Sequence, residues 1–460
     1  MDGPKVVVIG AGSLFFGRQA LWQMVHSEVL RTGTLAFVDT DADRLDKMVR
    51  LGRMVVEDQS VPLAIEGSVE RRDALPGANF VVLSFADRGV AFRGIDCRIS
   101  EKYGVRMCSG DTIGPGGIFR AMRELPVILK VADDVRALCP DAWVINYINP
   151  TTVNGIGLMR HAPDLKSFAL CDGLHMPGAK RRRMVQAGIA PDTDSITLPM
   201  EVGFDLRIAG VNHFTWTLKA DYEGEDKLPA IRAHIEKLAA EESDEGHSKA
   251  RFNNAYTLAL WDLFGLCPAC IAHTKEYVPY WQGHGVADDA LPPLSIFDAD
   301  ERQKRHDAQW EEIDGYLAGA APAAEFMEKH GPDHATDIIE SMWGGLRKPF
   351  YVNTANRGAV QNLDDDAFLE VLCDIDMEGP RPRTGIGRFP PGVRAMTQQV
   401  LETHELTVEA IVRRDRAVLR RAMMLDPIVN AIPDGDAIIA ELLDAERDAL
   451  PPEWSEGRRP

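Results

Sequence analysis

Short apolar runs separated by helix-length amphipathic stretches organise the first 195 residues. Lys5–Ile9 ends in Gly-Ala-Gly-Ser, and a helical pattern follows; Leu35-Ala-Phe-Val38 ends in Asp39; Phe80–Leu83, Trp143–Ile145 and Phe168–Leu170 are further runs of the same kind. Runs this short suit strands rather than helices, whereas the segments between them, such as 118–138, carry helical spacing. Strands alternating with helices predict an α/β protein with a doubly wound parallel sheet. Ligands of such sheets lie outside the carboxyl ends of the strands. Asp39, Asn146 to Asn149 and Cys171 fall at those ends.

Near residue 195 the pattern changes. Val202, Phe204, Leu206 and Ile208 alternate with other residues, Ala209-Gly210 offers a turn, and Phe214, Trp216, Leu218 and Ala220 alternate beyond it. That is a hairpin signature, and it opens a second, α+β domain. From Arg394 the chain reads as helical, with Ile438, Ile439, Leu442 and Leu443 recurring behind Asp434 and Asp436, expected as caps. The expected division is 1–195 and 196–460. The Ala-rich tract 316–324 is expected as loop or helix surface.

At 460 residues and 45% hydrophobic, the chain can bury two substantial cores. Its net charge is 51 − 70 = −19, with no basic block, which argues against nucleic acid and anionic membrane as partners. Arg181-Arg182-Arg183 is the densest basic spot and is read as a solvated helix face. No apolar run reaches the ~20 residues of a membrane span. MDGPKVVVIG lacks a charged segment followed by a signal-length apolar core, so the cytoplasm is the expected location. Seven scattered cysteines (97, 108, 139, 171, 267, 270 and 373) read mostly as small buried hydrophobes. Cys267-Pro-Ala-Cys270 has half-zinc or redox spacing, but no second such pair completes a site, and it too is read as packing.

Gly10-Ala-Gly12, with Ser13, follows a strand and opens a helix, where backbone N–H groups and the helix dipole meet a pyrophosphate. Asp39, closing the second strand, is placed to take the ribose hydroxyls and disfavours a 2′-phosphate. NAD is therefore the expected cofactor of a Rossmann-like first domain. Position 15 is Phe15, so the third glycine of the fingerprint is missing.

The remaining strand ends do not carry the usual dehydrogenase set. Gly110 to Arg120 is a glycine-rich loop entering a helix and includes Asp111; Asn146-Tyr-Ile-Asn149-Pro150 offers side-chain amides suited to sugar hydroxyls. Cys171-Asp172 ends the fifth run, and Val211–Trp216 places His213 opposite the apolar Phe214 and Trp216. On residue chemistry alone, Cys171 reads as packing and His213 as a satisfied hairpin histidine.

Together these motifs resemble glycoside hydrolase family 4, the NAD- and metal-dependent glycosidases. The likeness runs nearly end to end, through Val352-Asn-Thr-Ala-Asn-Arg-Gly358, Gln361-Asn-Leu363, Phe389-Pro-Pro391 and Leu425-Asp-Pro427. The resemblance implies a lactate/malate dehydrogenase-like fold, a homodimer or homotetramer, and a small carbohydrate substrate. It implies that Cys171 and His213 hold a divalent metal, most often manganese, with positions left open for sugar hydroxyls. Asp111, Asn149 and His273 become substrate contacts. The implied reaction oxidises C3 of the sugar reversibly on NAD, removes the acidified C2 proton, expels the C1 aglycone and adds water. Asp172 matches the general acid of the α-specific phosphoglucosidases, with a helix N-cap as its alternative. Tyr277 and Tyr280 are candidate bases, Tyr277 preferred. Cys171-Asp-Gly-Leu-His175 matches neither the Cys-His form nor the Cys-Asp-Met-Pro form of the family, so the sugar is open. Arg357 and Arg388 read either as anion contacts or as surface salt bridges. The rival readings are a simple NAD-dependent oxidoreductase and a non-catalytic NAD-binding regulator.

Overall fold

In the computed structural model, residues 3–13, 16–86, 88–175, 178–192, 202–242, 252–282, 294–331 and 333–454 are described. The first half supplies six strands: β1 (Lys5–Ile9), β2 (Thr34–Val38), β3 (Ala64–Ser68), β4 (Phe80–Leu83), β5 (Trp143–Asn146) and β6 (Lys166–Ala169). They pair in parallel in the order β3-β2-β1-β4-β5-β6. The central strands β1, β2, β4 and β5 are covered on both faces and almost wholly apolar, whereas the outer strand β3 and the start of β6 are polar and more exposed. Val6 and Val8 join one core with Phe37 and Val82, while Val7 and Ile9 join the opposite core with Val38 and Leu83. Ile9 is level with Val38 and Leu83, Leu83 with Asn146, and Asn146 with Ala169. The carboxyl ends therefore share one edge.

The second half extends the same sheet antiparallel. Its strands are β7 (Phe204–Val211), β8 (Phe214–Tyr222), β9 (Glu225–Asp226), β10 (Cys267–Pro268), β11 (Pro349–Ala355), β12 (Phe368–Asp376) and β13 (Gly379–Pro382). β11 joins β6 at Asn353 opposite Ala169, and β12, β7, β8 and β10 follow outward. The boundary expected at 195/196 lies outside the described residues, as does Phe15.

Several expectations need correction. The hairpin turns at Asn212-His213, not at Ala209-Gly210, which sit inside β7; Val202 precedes the strand and is 76% exposed. The turn needs a residue at positive φ, and His213 supplies it at 61°. The glycine-rich loop is half helix, because the helix Gly114–Leu138 already begins at Gly114. Arg183 is not on a solvated face. It is buried, and its guanidinium donates to Gln186 Oε1 and to the carbonyls of Pro268 and Ala269.

The helical tail runs Pro391–Arg413, Arg416–Leu425 and Ile432–Ala445. Asp415 caps the second of these, whereas the third begins before Asp434 and Asp436. Asp434 instead sits in the first turn, where its charge suits the helix dipole, and Asp436 pairs with Arg420. The tail folds back onto the parallel half: Asp426 Oδ2 accepts from the first amide of helix Gly114–Leu138 at 2.9 Å. Among the described residues, no helix is long and apolar enough to cross a membrane.

Candidate active site

At the end of β1 the chain turns sharply. Gly10 has φ 94°, and a Cβ there would stand 2.5 Å from the Ser84 carbonyl oxygen. Only glycine fits. The amide of Gly12 donates to Asp39 Oδ2 at 2.7 Å, and that of Ser13 to the Gly10 carbonyl at 2.9 Å. Asp39 Oδ1 also accepts from Asp41 N, so the carboxylate is fixed beside the glycine turn with lone pairs to spare. The helix Phe16–His26 follows. Gly10, Gly12, Ser13 and Asp39 thus share one loop surface whose bare backbone suits close approach by a pyrophosphate.

Three strands away, Cys171 leaves β6 and caps a 3-10 turn over Asp172–Leu174. Its Sγ lies 2.9 Å from Nε2 of His213, 42 residues later in the chain. Both side chains are buried. The His213 ring stacks on His273 with centroids 4.2 Å apart. Nδ1 of His273 lies 3.1 Å from Oε1 of the buried Glu276, whose Oε2 accepts from Ser109 N at 2.8 Å. Burial alone would push Glu276 up; the bonds from His273 and Ser109 outweigh it and hold the carboxyl below its ordinary value.

Ser109 leads to Asp111. Its hydroxyl donates to Asp111 Oδ1 at 2.9 Å, while Arg93 Nη1 and Arg120 Nη1 approach Oδ2 at 3.1 and 2.9 Å. Asn149 Nδ2 donates to the same Oδ2 at 3.3 Å, and Thr151 Oγ1 donates to Asn149 Oδ1 at 2.7 Å. Burial opposes ionisation of Asp111, but the two guanidinium groups and His273 keep it well below the usual carboxylate range. The loop can pass this closely because Gly110, at φ 68°, has no side chain; a Cβ would stand 2.3 Å from Cys97 Sγ.

The tyrosines part company. Tyr277 is buried, stacks on Phe214 at 5.2 Å and donates its hydroxyl to the Asn212 carbonyl at 2.8 Å. Burial raises its phenol well above the ordinary value, the Thr112 hydroxyl acts against this, and the charges of Glu276, Cys270 and Cys171 reinforce it. Tyr280 is 44% exposed and meets the rings of Phe264 and Trp281. Asp172 opens the 3-10 turn one residue after the Cys171 cap, and its side chain lies outside the described residues.

The structure thus gathers Cys171, His213, His273, Asp111, Asn149 and Tyr277 into one connected cluster. It adds Arg93, Arg120, Ser109, Glu276 and Cys270, which sequence reasoning did not assign to the site. Glu276 lay inside the tyrosine segment and Arg120 inside the glycine-rich motif; Arg93 gave no local signal. Cys270, expected as packing, has its Sγ 3.4 Å from His213 Nδ1. Cys171 and His213 fit an open metal site: a thiol and an imidazole aimed at each other, with too few donors to close a shell. Among the described residues, no three His, Cys, Asp or Glu converge as a fuller ligand set. This soft donor pair does not by itself select manganese.

Residues 5–186 match the profile described as Family 4 glycosyl hydrolase, and residues 208–429 that of the Family 4 glycosyl hydrolase C-terminal domain. An alpha-galactosidase of Bacillus subtilis (strain 168) is 28% identical over 97% of this chain and 99% of its own. An alpha-galacturonidase of the same organism is 27% identical over 94% of each. A 6-phospho-alpha-glucosidase from gut microorganisms, solved with NAD and Mn2+, superposes with a TM-score of 0.80 at 21% identity, covering 98% of this chain and 99% of that one. The malate dehydrogenase of Cryptosporidium parvum shares the fold at a TM-score of 0.51 and 13% identity, over 89% and 99% of the two chains.

Proposed function

The chain belongs to family 4 of the glycosyl hydrolases, and from that premise we propose that it cleaves an α-linked glycoside by reversible oxidation at C3, elimination and addition of water, using NAD and a divalent metal. The observation that carries the reading is the 2.9 Å approach of Cys171 Sγ to His213 Nε2 at the carboxyl edge of the sheet. The named activities of the α-galactosidase and α-galacturonidase relatives support the α-linkage, and the NAD and Mn2+ of the 6-phospho-alpha-glucosidase complex support the cofactors.

When bound, the dinucleotide supplies a reversible hydride acceptor and the metal a Lewis acid for the sugar oxygens. The chain's own residues divide the rest. Gly10, Gly12 and Ser13 form the tight, bare turn that lets the pyrophosphate approach the start of the following helix, and Asp39 takes ribose hydroxyls. Cys171 and His213 hold the metal. Asp111, kept ionised by Arg93 and Arg120, accepts a hydrogen bond from a sugar hydroxyl; Asn149 and His273 flank it. Tyr277 takes the C2 proton, since its hydroxyl shares the Asn212-His213 turn with the metal ligand and a cation there lowers its pKa. Asp172 protonates the departing C1 oxygen. Tyr280, exposed and turned toward aromatic neighbours, is the weaker base candidate. A cytoplasmic homodimer or homotetramer belongs to the same proposal.

A panel of nitrophenyl α- and β-glycosides, uronides and 6-phosphates tests it in the presence of NAD+ and Mn2+. Nitrophenol release requiring both, with no net NADH, is expected. Stoichiometric NADH would mark a dehydrogenase, and NAD+ binding without any release a regulator.

A further inference from the structure

The ring of His213 is held at both nitrogens and on one face. Its Nε2 edge faces Cys171 Sγ at 2.9 Å and its Nδ1 edge faces Cys270 Sγ at 3.4 Å. His273 covers one face at 4.2 Å. Gly173 crowds the ring as well, since a Cβ there would stand 3.1 Å from Nδ1 and 3.3 Å from Cε1.

Cys270 is delivered to this position by an element of its own. β10 pairs Cys267 with Thr217 and Pro268 with Trp216, and Ala269 N donates to the Thr215 carbonyl at 2.8 Å. Arg183 grips the carbonyls of Pro268 and Ala269 from the other side. The Thr274 hydroxyl then bridges the carbonyls of Cys270 (2.7 Å) and His213 (3.1 Å). Thiol and ring are thus locked in register by backbone contacts.

Each imidazole nitrogen has one in-plane position, taken by a proton or by an ion. A sulfur lying against Nδ1 therefore cannot join Cys171 in a shell built at Nε2 of the same ring. We infer that Cys270 is a positioning residue for His213: its sulfur accepts the Nδ1 proton, fixing the tautomer whose Nε2 lone pair points at the Cys171 side. Histidine ligands depend on such a partner at the second nitrogen for ring orientation and basicity. A carboxylate or carbonyl usually fills that place; here a thiol does. The inference rests on the metal role proposed for Cys171 and His213.

Titration of the metal-free protein with Mn2+, followed by the EPR signal of the free ion, tests it. Cys270→Ala should weaken Mn2+ binding roughly 10- to 100-fold. Cys270→Ser, which keeps an acceptor, should stay within a few-fold of wild type. Cys267→Ala is the control for a lost buried thiol: it belongs to the same tetrapeptide, its own Sγ contacts Pro268 O, and it should change nothing. NAD+ affinity should be the same in all three. Independently of any metal, long-range 15N correlation spectra should show His213 protonated at Nδ1 in wild type and a tautomer mixture in Cys270→Ala. Wild-type Mn2+ affinity in Cys270→Ala, with Cys171→Ser unable to bind, overturns the inference, as does a bare Nδ1 in wild type. If Cys270→Ala loses NAD+ binding through misfolding, Cys270→Ser decides, and loss of Mn2+ affinity there with NAD+ binding intact also overturns it. If Cys171→Ser binds Mn2+ as wild type does, the metal reading itself fails.

Discussion

Glu446 ties the C-terminal tail to the two helices behind the glycine-rich loop, and its protonation offers a quantitative test of how that contact is built. Arg123, 3% exposed, meets Asp96 at 2.9 Å and also bonds Glu446, both carboxylates having no exposed side-chain surface. One cation faces two buried acids. Burial, then repulsion from Asp96 and a hydrogen bond to it, raise the Glu446 carboxyl far above its ordinary 4.5, and Arg123 does not cancel the rise. The folded state therefore holds a proton that the opened state releases. The stability this contributes is fully present below pH 4.5 and is lost as pH rises through the folded pKa. Within that window, one extra bound proton means that the opening free energy falls by about 1.4 kcal/mol per pH unit, a tenfold change in the opening constant.

Glu446→Gln keeps the shape and removes the titration. Hydrogen exchange of the helix Ile432–Ala445, compared with wild type at equal pH so that intrinsic rates cancel, should show the variant's relative protection growing about tenfold per unit between pH 6 and 8. Arg123→Met, which strands the Asp96 carboxylate beside the protonated Glu446, should instead cost ~3–5 kcal/mol at neutral pH. A protection ratio between Glu446→Gln and wild type that stays constant across the range would show that Glu446 is ionised in the fold.

Three further outcomes follow from the site. Cys171→Ser and His213→Ala should each abolish glycosidase activity while NAD+ binding stays intact, because the glycine turn lies on other strands; wild-type activity after exhaustive chelation would refute the metal role. Gly10→Ala must move the loop away from the Ser84 carbonyl, 2.5 Å from the new Cβ; backbone strain of ~1–3 kcal/mol should appear as NAD+ binding weakened about 5- to 150-fold in a fluorescence titration. Turnover in D2O should place deuterium at C2 of the released sugar, whereas direct displacement at C1 would leave that position unlabelled.

The central parallel strands were legible because they are buried on both faces and short, so that apolar runs stand out between helices. β3, polar and largely exposed at the sheet's edge, gave no such run and was missed. Lys5–Ile9 and Phe80–Leu83 coincide with the observed strands. The hairpin was legible in kind but not in register. Alternation identifies two strands, yet the turn is set by which residues take positive φ, and glycine was the obvious candidate. His213 takes it instead, held by the stack on His273 and the hydroxyl of Thr274 on its carbonyl. That choice has a chemical consequence. A residue at the tip of a two-residue turn can aim its ring back along the sheet edge, where Cys171 waits at the end of β6.

Charge and packing beyond the motifs were hidden for a different reason. Arg183 sits in a run of three arginines, and nothing local separates the one that turns inward from the two that do not; the carbonyls of Pro268 and Ala269, which accept from its guanidinium, decide it. Arg93 is likewise ordinary until Asp111 is brought beside it by the turn at Gly110. Cys270 reads as a small hydrophobe on any local criterion, and its neighbour is a ring 57 residues earlier. In each case the sequence supplies a group able to bond and the fold supplies the unsatisfied partner, because a buried N–H, carbonyl or charge left alone costs more than a bond gains. Functional chemistry collects at the same places. The edge where Cys171, His213 and Asp111 meet is where strands end, backbone groups lose their ladder partners, and polar side chains must be imported to satisfy them.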